Sequence, residues 1–98
     1  MKFSILFTSQ AKQQLAELSR QPALIVRYKA VLKCLARLET DPRHPALNTH
    51  KYHGLEAPGG QDMFEAYAQN QTPGAYRVFW FYGPGKGAIS IYAITPHP

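Results

Sequence analysis

The run Ala75–Tyr82 is the most strand-like in this chain, and the side chains it must place limit what the chain can become. Alternation puts Tyr76, Val78, Trp80 and Tyr82 on one face and Arg77, Phe79 and Phe81 on the other. Met63–Gln69 precedes it and sets Phe64, Ala66 and Ala68 against Glu65, Tyr67 and Gln69. The turn residues Asn70-Gln71-Thr72-Pro73-Gly74 join these two runs, and Gly83-Pro84-Gly85-Lys86-Gly87 leads into a third, β-branched run over Ala88–Thr95. Two sequential hairpins predict a three-stranded meander.

The first half of the chain changes period. Lys2–Thr8 alternates, with Phe3, Ile5 and Phe7 on one side. Thr8 or Ser9 offers a side-chain oxygen to cap a helix running from Ser9 to about Ser19 on Ala11, Leu15 and Leu18. Gln21-Pro22 interrupts it, because proline disfavours helical geometry in the residue before it. A longer helix follows from about Ala23 to Glu39. Leu24, Tyr28, Val31, Leu32, Leu35 and Leu38 form its apolar stripe, and Arg27, Lys29, Lys33 and Arg37 take the other faces. Asp41-Pro42-Arg43-His44-Pro45 ends the helical half, and residues 46–61 read as irregular. The first strand must join the sheet to bury Phe3, Ile5 and Phe7. The expected fold is therefore α+β with the order β-α-α-β-β-β. A helical hairpin packs on one face of a mainly antiparallel four-stranded sheet, and the whole forms one domain over residues 1–98. The polar run Thr95-Pro96-His97-Pro98 closes it.

An apolar content of 45% excludes general disorder. The single Cys34 excludes an internal disulfide and, within a helical apolar pattern, reads as a buried inert thiol. The histidines have no metal-ligand spacing, and no cofactor is expected. Met1–Phe7 is too short for a signal-peptide core, and no stretch approaches the roughly 20 apolar residues of a membrane span. A cytoplasmic protein without a membrane partner is expected. The net charge of +5 is unevenly spread: nine Lys/Arg face three acids up to Lys51, and two face three from Tyr52 onward. That field attracts phosphates or an acidic protein.

Several of these features together resemble a known family. The opening strand, the helical hairpin, His50-Lys51-Tyr52-His53-Gly54-Leu55 and Tyr76-Arg77-Val78-Phe79-Trp80 look like the RelE/ParE superfamily of toxin–antitoxin toxins. The resemblance covers nearly the whole chain and rests on the order and spacing of short motifs. It implies a ribosome-dependent mRNA endonuclease held inactive by a cognate antitoxin. It aligns Arg77 with the strand arginine of the RelE and YoeB types, and His97 with the near-terminal histidine of the YoeB type. The strand lysines of the RelE type fall at about Glu65 and Tyr67 here. Where the YoeB type has its loop carboxylate, this chain has His50, Lys51 and His53.

The residues themselves support a concrete scheme. Cleavage through 2′-oxygen attack needs a base, an acid for the 5′-oxygen and a cation at the crowded phosphorus. Glu65, Tyr67 and Arg77 can project from one sheet face, and His97 lies just beyond the next strand. Glu65 as base, Arg77 as phosphate clamp and His97 as acid make a sensible trio, with His50 or His53 able to replace either proton carrier. His50, Lys51, His53, Phe79 and Phe81 are the expected RNA contacts, the two phenylalanines stacking on unpaired bases. The same apolar pair could instead receive an antitoxin helix or a second copy of the chain. Glu65 and Arg77 could equally be a surface cross-strand salt bridge. The alternative function is a non-catalytic module: a ParE-like gyrase inhibitor, or an inactive homodimeric member of the family.

Overall fold

The computed structural model describes residues 2–97, so Pro98 of the closing polar run lies outside the described residues. The elements are β1 (Ser4–Phe7), α1 (Ser9–Ser19), a 3-10 turn at Pro22–Leu24, α2 (Ile25–Thr40), a 3-10 turn at Pro45–Leu47, β2 (His50–Lys51), β3 (Phe64–Tyr67), β4 (Tyr76–Tyr82) and β5 (Ala88–Pro96). The order along the sheet is β1-β5-β4-β3-β2, with β1 parallel to β5 and every other pair antiparallel. The helices supply the crossover that a parallel pairing requires. The α+β reading holds. One element exceeds it: the stretch read as irregular contributes the two-residue β2, so the sheet has five strands.

Local chemistry explains where the elements begin. Thr8 is extended, and its Oγ1 accepts a hydrogen bond from the Ala11 N–H at 3.1 Å, capping α1. Such a cap stabilises by about 1 kcal/mol. The same hydroxyl donates to the Tyr92 carbonyl at 2.8 Å, which ties the helix start to β5. Pro22 opens the first 3-10 turn and delays α2 to Ile25, two residues later than the apolar pattern suggests.

The main core lies between the helices and one sheet face. Val31, Cys34, Leu35 and Leu38 of α2 meet Val78 and Trp80 of β4 and the isoleucines of β5. Two expected members stand apart. Leu32 is 40% exposed, because the buried arc of α2 is centred on Val31, Cys34, Leu35 and Leu38. Phe7, at the outer end of a border strand, is 36% exposed, whereas Phe3 and Ile5 pack on the core.

β5 carries an irregularity that serves this packing. Phe79 pairs with Ala93 and Trp80 with Ile91, so Tyr92 is an extra residue on β5. Ile91 and Ile94 therefore both reach the helix side although they are three apart. Because the bulge belongs to β5, the alternation of β4 is undisturbed. Pairing of β1 stops at Phe7 with Ile91. Beyond it α1 covers the edge of β5: Gln14 Oε1 accepts from the Ile94 N–H at 2.7 Å, and Gln10 Nε2 donates to the Tyr92 carbonyl at 3.2 Å. Among the described residues no helix is long and apolar enough to cross a membrane.

Candidate functional site

The opposite sheet face holds a polar cluster beside a second, smaller core. In register, His50 pairs with Glu65, Tyr67 with Arg77, and Arg77 with Thr95. Period-two alternation then sets Glu65, Tyr67 and Arg77 on one face. Glu65 and Arg77 are 6% and 7% exposed, and buried charge is tolerated only where it is paired. The pairing is specific. His50 Nε2 lies 2.8 Å from Glu65 Oε1, and Arg77 Nε lies 3.5 Å from Glu65 Oε2. The Arg77 guanidinium also sits 3.7 Å from the centroid of the Tyr67 ring, within cation–π reach.

His50 ties the loop before β2 to this cluster. Its Nδ1 lies 3.1 Å from the Asn48 carbonyl and its Nε2 faces the Glu65 carboxyl at 2.8 Å, so the ring is oriented against Glu65 from both nitrogens.

Arg77 is aimed by a chain of contacts. Its Nη1 donates to the Gln69 carbonyl at 2.6 Å. The Gln69 side-chain oxygen accepts from the Tyr76 N–H and from Arg27 Nη1, both at 3.2 Å. Arg27 in turn donates to the carbonyls of Pro73 and Gly74, bracing the β3–β4 turn from α2. Among the described residues Arg77 Nη2 has no hydrogen bond.

A cavity of about 110 Å³ opens over this cluster, lined by Tyr52, Glu65, Arg77, Phe79, Pro96 and His97 among others. The His97 N–H donates to the Ala75 carbonyl at 2.7 Å, which extends the β4–β5 ladder past Pro96 and anchors the histidine beside the cavity. His50, Glu65, Tyr67, Arg77 and His97 are thus brought together. Lys51 and His53 are not. Lys51 pairs with Phe64, one residue out of phase with His50, and its Nζ lies 3.2 Å from Asp62. His53 lines a separate depression with Glu56 and Asp62.

Phe79 and Phe81 do share the face of Arg77, but they are 9% and 6% exposed beneath Ala57 and Met63. Tyr52 meets Phe79 edge-on at 4.9 Å. The loop over residues 52–63 covers most of both rings, so little ring surface is left for a base to stack on, although Phe79 still forms part of the cavity wall. The expected surface salt bridge also changes character, since Glu65 and Arg77 are buried. Sequence reading missed Tyr52, Asn48 and Thr95, which lie outside the periodic runs or at a strand end. Gln69, which alternation sets with Glu65 and Tyr67, lies two residues past the end of β3, and it is its backbone carbonyl that meets Arg77. Among the described residues no three His, Cys, Asp or Glu side chains gather closely enough to hold a metal ion.

No protein-family model matches the chain, and no curated protein matches it. Solved structures do. The archaeal RelE–RelB complex from Pyrococcus horikoshii OT3 gives a TM-score of 0.65 at 23% identity, covering 98% of this chain and 96% of that one. A YoeB/ParE toxin from Agrobacterium tumefaciens gives 0.70 at 7% identity, covering 97% and 99%. The YoeB dimer from Staphylococcus aureus gives 0.64 at 15% identity, with 100% of both chains covered. The chain has the fold of these toxins.

Proposed function

We propose that this chain, which carries the RelE/ParE toxin fold, is the toxin of a toxin–antitoxin pair and cleaves mRNA on the ribosome. The observation that carries the reading is the convergence of Glu65, Arg77 and His97 on one small cavity, with His50 bonded to Glu65. The antitoxin partner is supported by fold neighbours such as the RelE–RelB complex and the intact E. coli RelBE toxin–antitoxin complex.

In this mechanism the Glu65 carboxylate, oriented by His50, removes the proton of a ribose 2′-hydroxyl. The 2′-oxygen attacks the adjacent phosphorus. Arg77 Nη2 donates to a non-bridging oxygen as charge builds there. The bond to the 5′-oxygen breaks, and that oxygen leaves with a proton from His97. The products are a 2′,3′-cyclic phosphate and a 5′-hydroxyl end. Protein side chains supply every proton and charge in the scheme.

A second reading is favoured by one observation. Arg77 is deeply set, stacked on Tyr67 and tied to the Gln69 carbonyl, as expected of a structural ion cluster in a non-catalytic module. A ParE-like gyrase inhibitor or an inactive homodimer would then be the function. Mapping of mRNA 5′ ends after controlled expression separates the two. New ends are expected with the wild type and lost in Arg77→Ala. His97→Ala, at an exposed position that leaves the fold intact, is expected to slow their appearance by about 10²–10⁴-fold. Absence of new ends with soluble wild-type protein would discard the ribonuclease reading and leave the binding module.

A further inference from the structure

A second, larger concavity lies on the other side of His50. It measures about 400 Å³, within the roughly 300–1,000 Å³ of small-ligand pockets. Its aromatic floor is Phe64, Trp80 and Tyr82, and its rim carries Arg43, His44, His50 and Lys51. Phe64 stacks on Trp80 at 4.9 Å, and Tyr82 meets both rings edge-on at 5.8 and 4.9 Å. Trp80 is buried, whereas Tyr82 is 37% exposed and Phe64 partly buried, so the latter two have ring surface left to offer.

The wall is built rather than loose. Asp41 Oδ1 accepts from the Arg43 N–H at 3.0 Å, His44 Nδ1 accepts from the Ala46 N–H at 3.0 Å, and Thr49 Oγ1 donates to the Pro42 carbonyl at 3.3 Å. Leu47 anchors the loop in the main core. No carboxylate lines the concavity, and among the described residues no salt bridge engages Arg43. Trp80 Nε1 is buried and finds no acceptor among the described residues, which leaves a donor unspent in a wall residue.

We infer that this concavity binds one unpaired nucleotide: the base against Tyr82 and Phe64, and its phosphate at Arg43, since Lys51 is already paired with Asp62. Aromatic surface takes any base, at about 1–3 kcal/mol per base, and arginine answers the phosphate. Neither feature alone would specify the ligand. An apolar peptide would leave the basic rim unanswered, and a bare anion would leave the aromatic floor uncovered. His50 joins the two sites, since it lines this concavity and bonds Glu65 of the cleavage cavity. The two cavities open on opposite faces of the sheet, and His50, on the border strand β2, is the residue that adjoins both. The choice of ligand rests on the RNA-cleaving reading, deepening it with a positioning subsite.

Trp80 is the single tryptophan of the chain, so indole fluorescence reports this concavity directly. Purified protein is titrated with adenosine 5′-monophosphate, with adenosine and with inorganic phosphate. The monophosphate is expected to change Trp80 emission saturably and more tightly than either fragment. Arg43→Ala is expected to weaken it about tenfold, the loss of one charge-assisted contact. Tyr82→Ala weakens both the monophosphate and adenosine. An unresponsive Trp80, a response to phosphate equal to that to the monophosphate, or indifference to both Arg43→Ala and Tyr82→Ala would overturn the inference. If the wild type generates new mRNA ends but no nucleotide moves Trp80, this subsite fails alone. If nucleotide binds as described but no ends appear, the cleavage reading fails alone.

Discussion

Glu65 has two partners of different kinds, and the difference can be measured. His50 Nε2 lies 2.8 Å from it, while Arg77 offers charge at 3.5 Å without a well-formed hydrogen bond. Removing the carboxylate altogether leaves a buried guanidinium held by one backbone carbonyl and one ring. Glu65→Ala is therefore expected to cost about 3–5 kcal/mol in urea unfolding, as breaking a buried pair does. Glu65→Gln keeps the shape and is expected to cost less stability, yet to lose mRNA cleavage as completely as Arg77→Ala. A loss below 1 kcal/mol in Glu65→Ala would show that the pair is not a buried unit. The nearness of Glu65 to Arg77 was legible, because alternation and hairpin order dictate it. The part of His50 as bonded partner of Glu65 was not, since two residues of β2 carry no periodic signal. Nor was the cover over Phe79 and Phe81, which comes from Ala57 and Met63 in a stretch without any pattern.

The elements were legible wherever a period runs long enough to outweigh local exceptions. β4 is the clearest case: its alternation survives intact because the irregular residue, Tyr92, falls on β5. Trp80 faces the helices and is 1% exposed, so Trp80→Ala is expected to cost about 3–5 kcal/mol. Leu32 lies outside the buried arc of α2, and Leu32→Lys is expected to change stability by no more than about 0.5 kcal/mol. Thermal midpoints of the two variants test both faces together. Equal midpoints would mean that the packing side of one element has been misplaced. The start of α2 shows why boundaries are harder than elements. Apolar residues continue back through Leu24, but Pro22 sets a 3-10 turn there and helical hydrogen bonding begins only at Ile25.

For the molecule as a whole, stability depends on a core whose one thiol lies between α2 and the sheet. Burial pushes the Cys34 thiol up to about 12 from an ordinary value near 9.0, with Arg37 opposing the rise. The unfolded chain therefore releases this proton before the folded one does. Its contribution to stability is full below about pH 9 and is lost as pH rises towards 12, by about 1.4 kcal/mol per pH unit. Urea unfolding between pH 8 and 10.5 is expected to show that extra downward slope in the wild type and not in Cys34→Ala. Parallel slopes would show that the thiol is not held neutral by burial. The two borders of the sheet matter at this scale too. One offers four residues in β1 and the other two in β2, while the exposed stretch of β5 past β1 is taken up by side chains of α1. A strand from another molecule finds only a short ladder to extend. Concentrated solutions should resist edge-to-edge fibre growth, and copies that associate should do so through side-chain surfaces rather than a shared sheet.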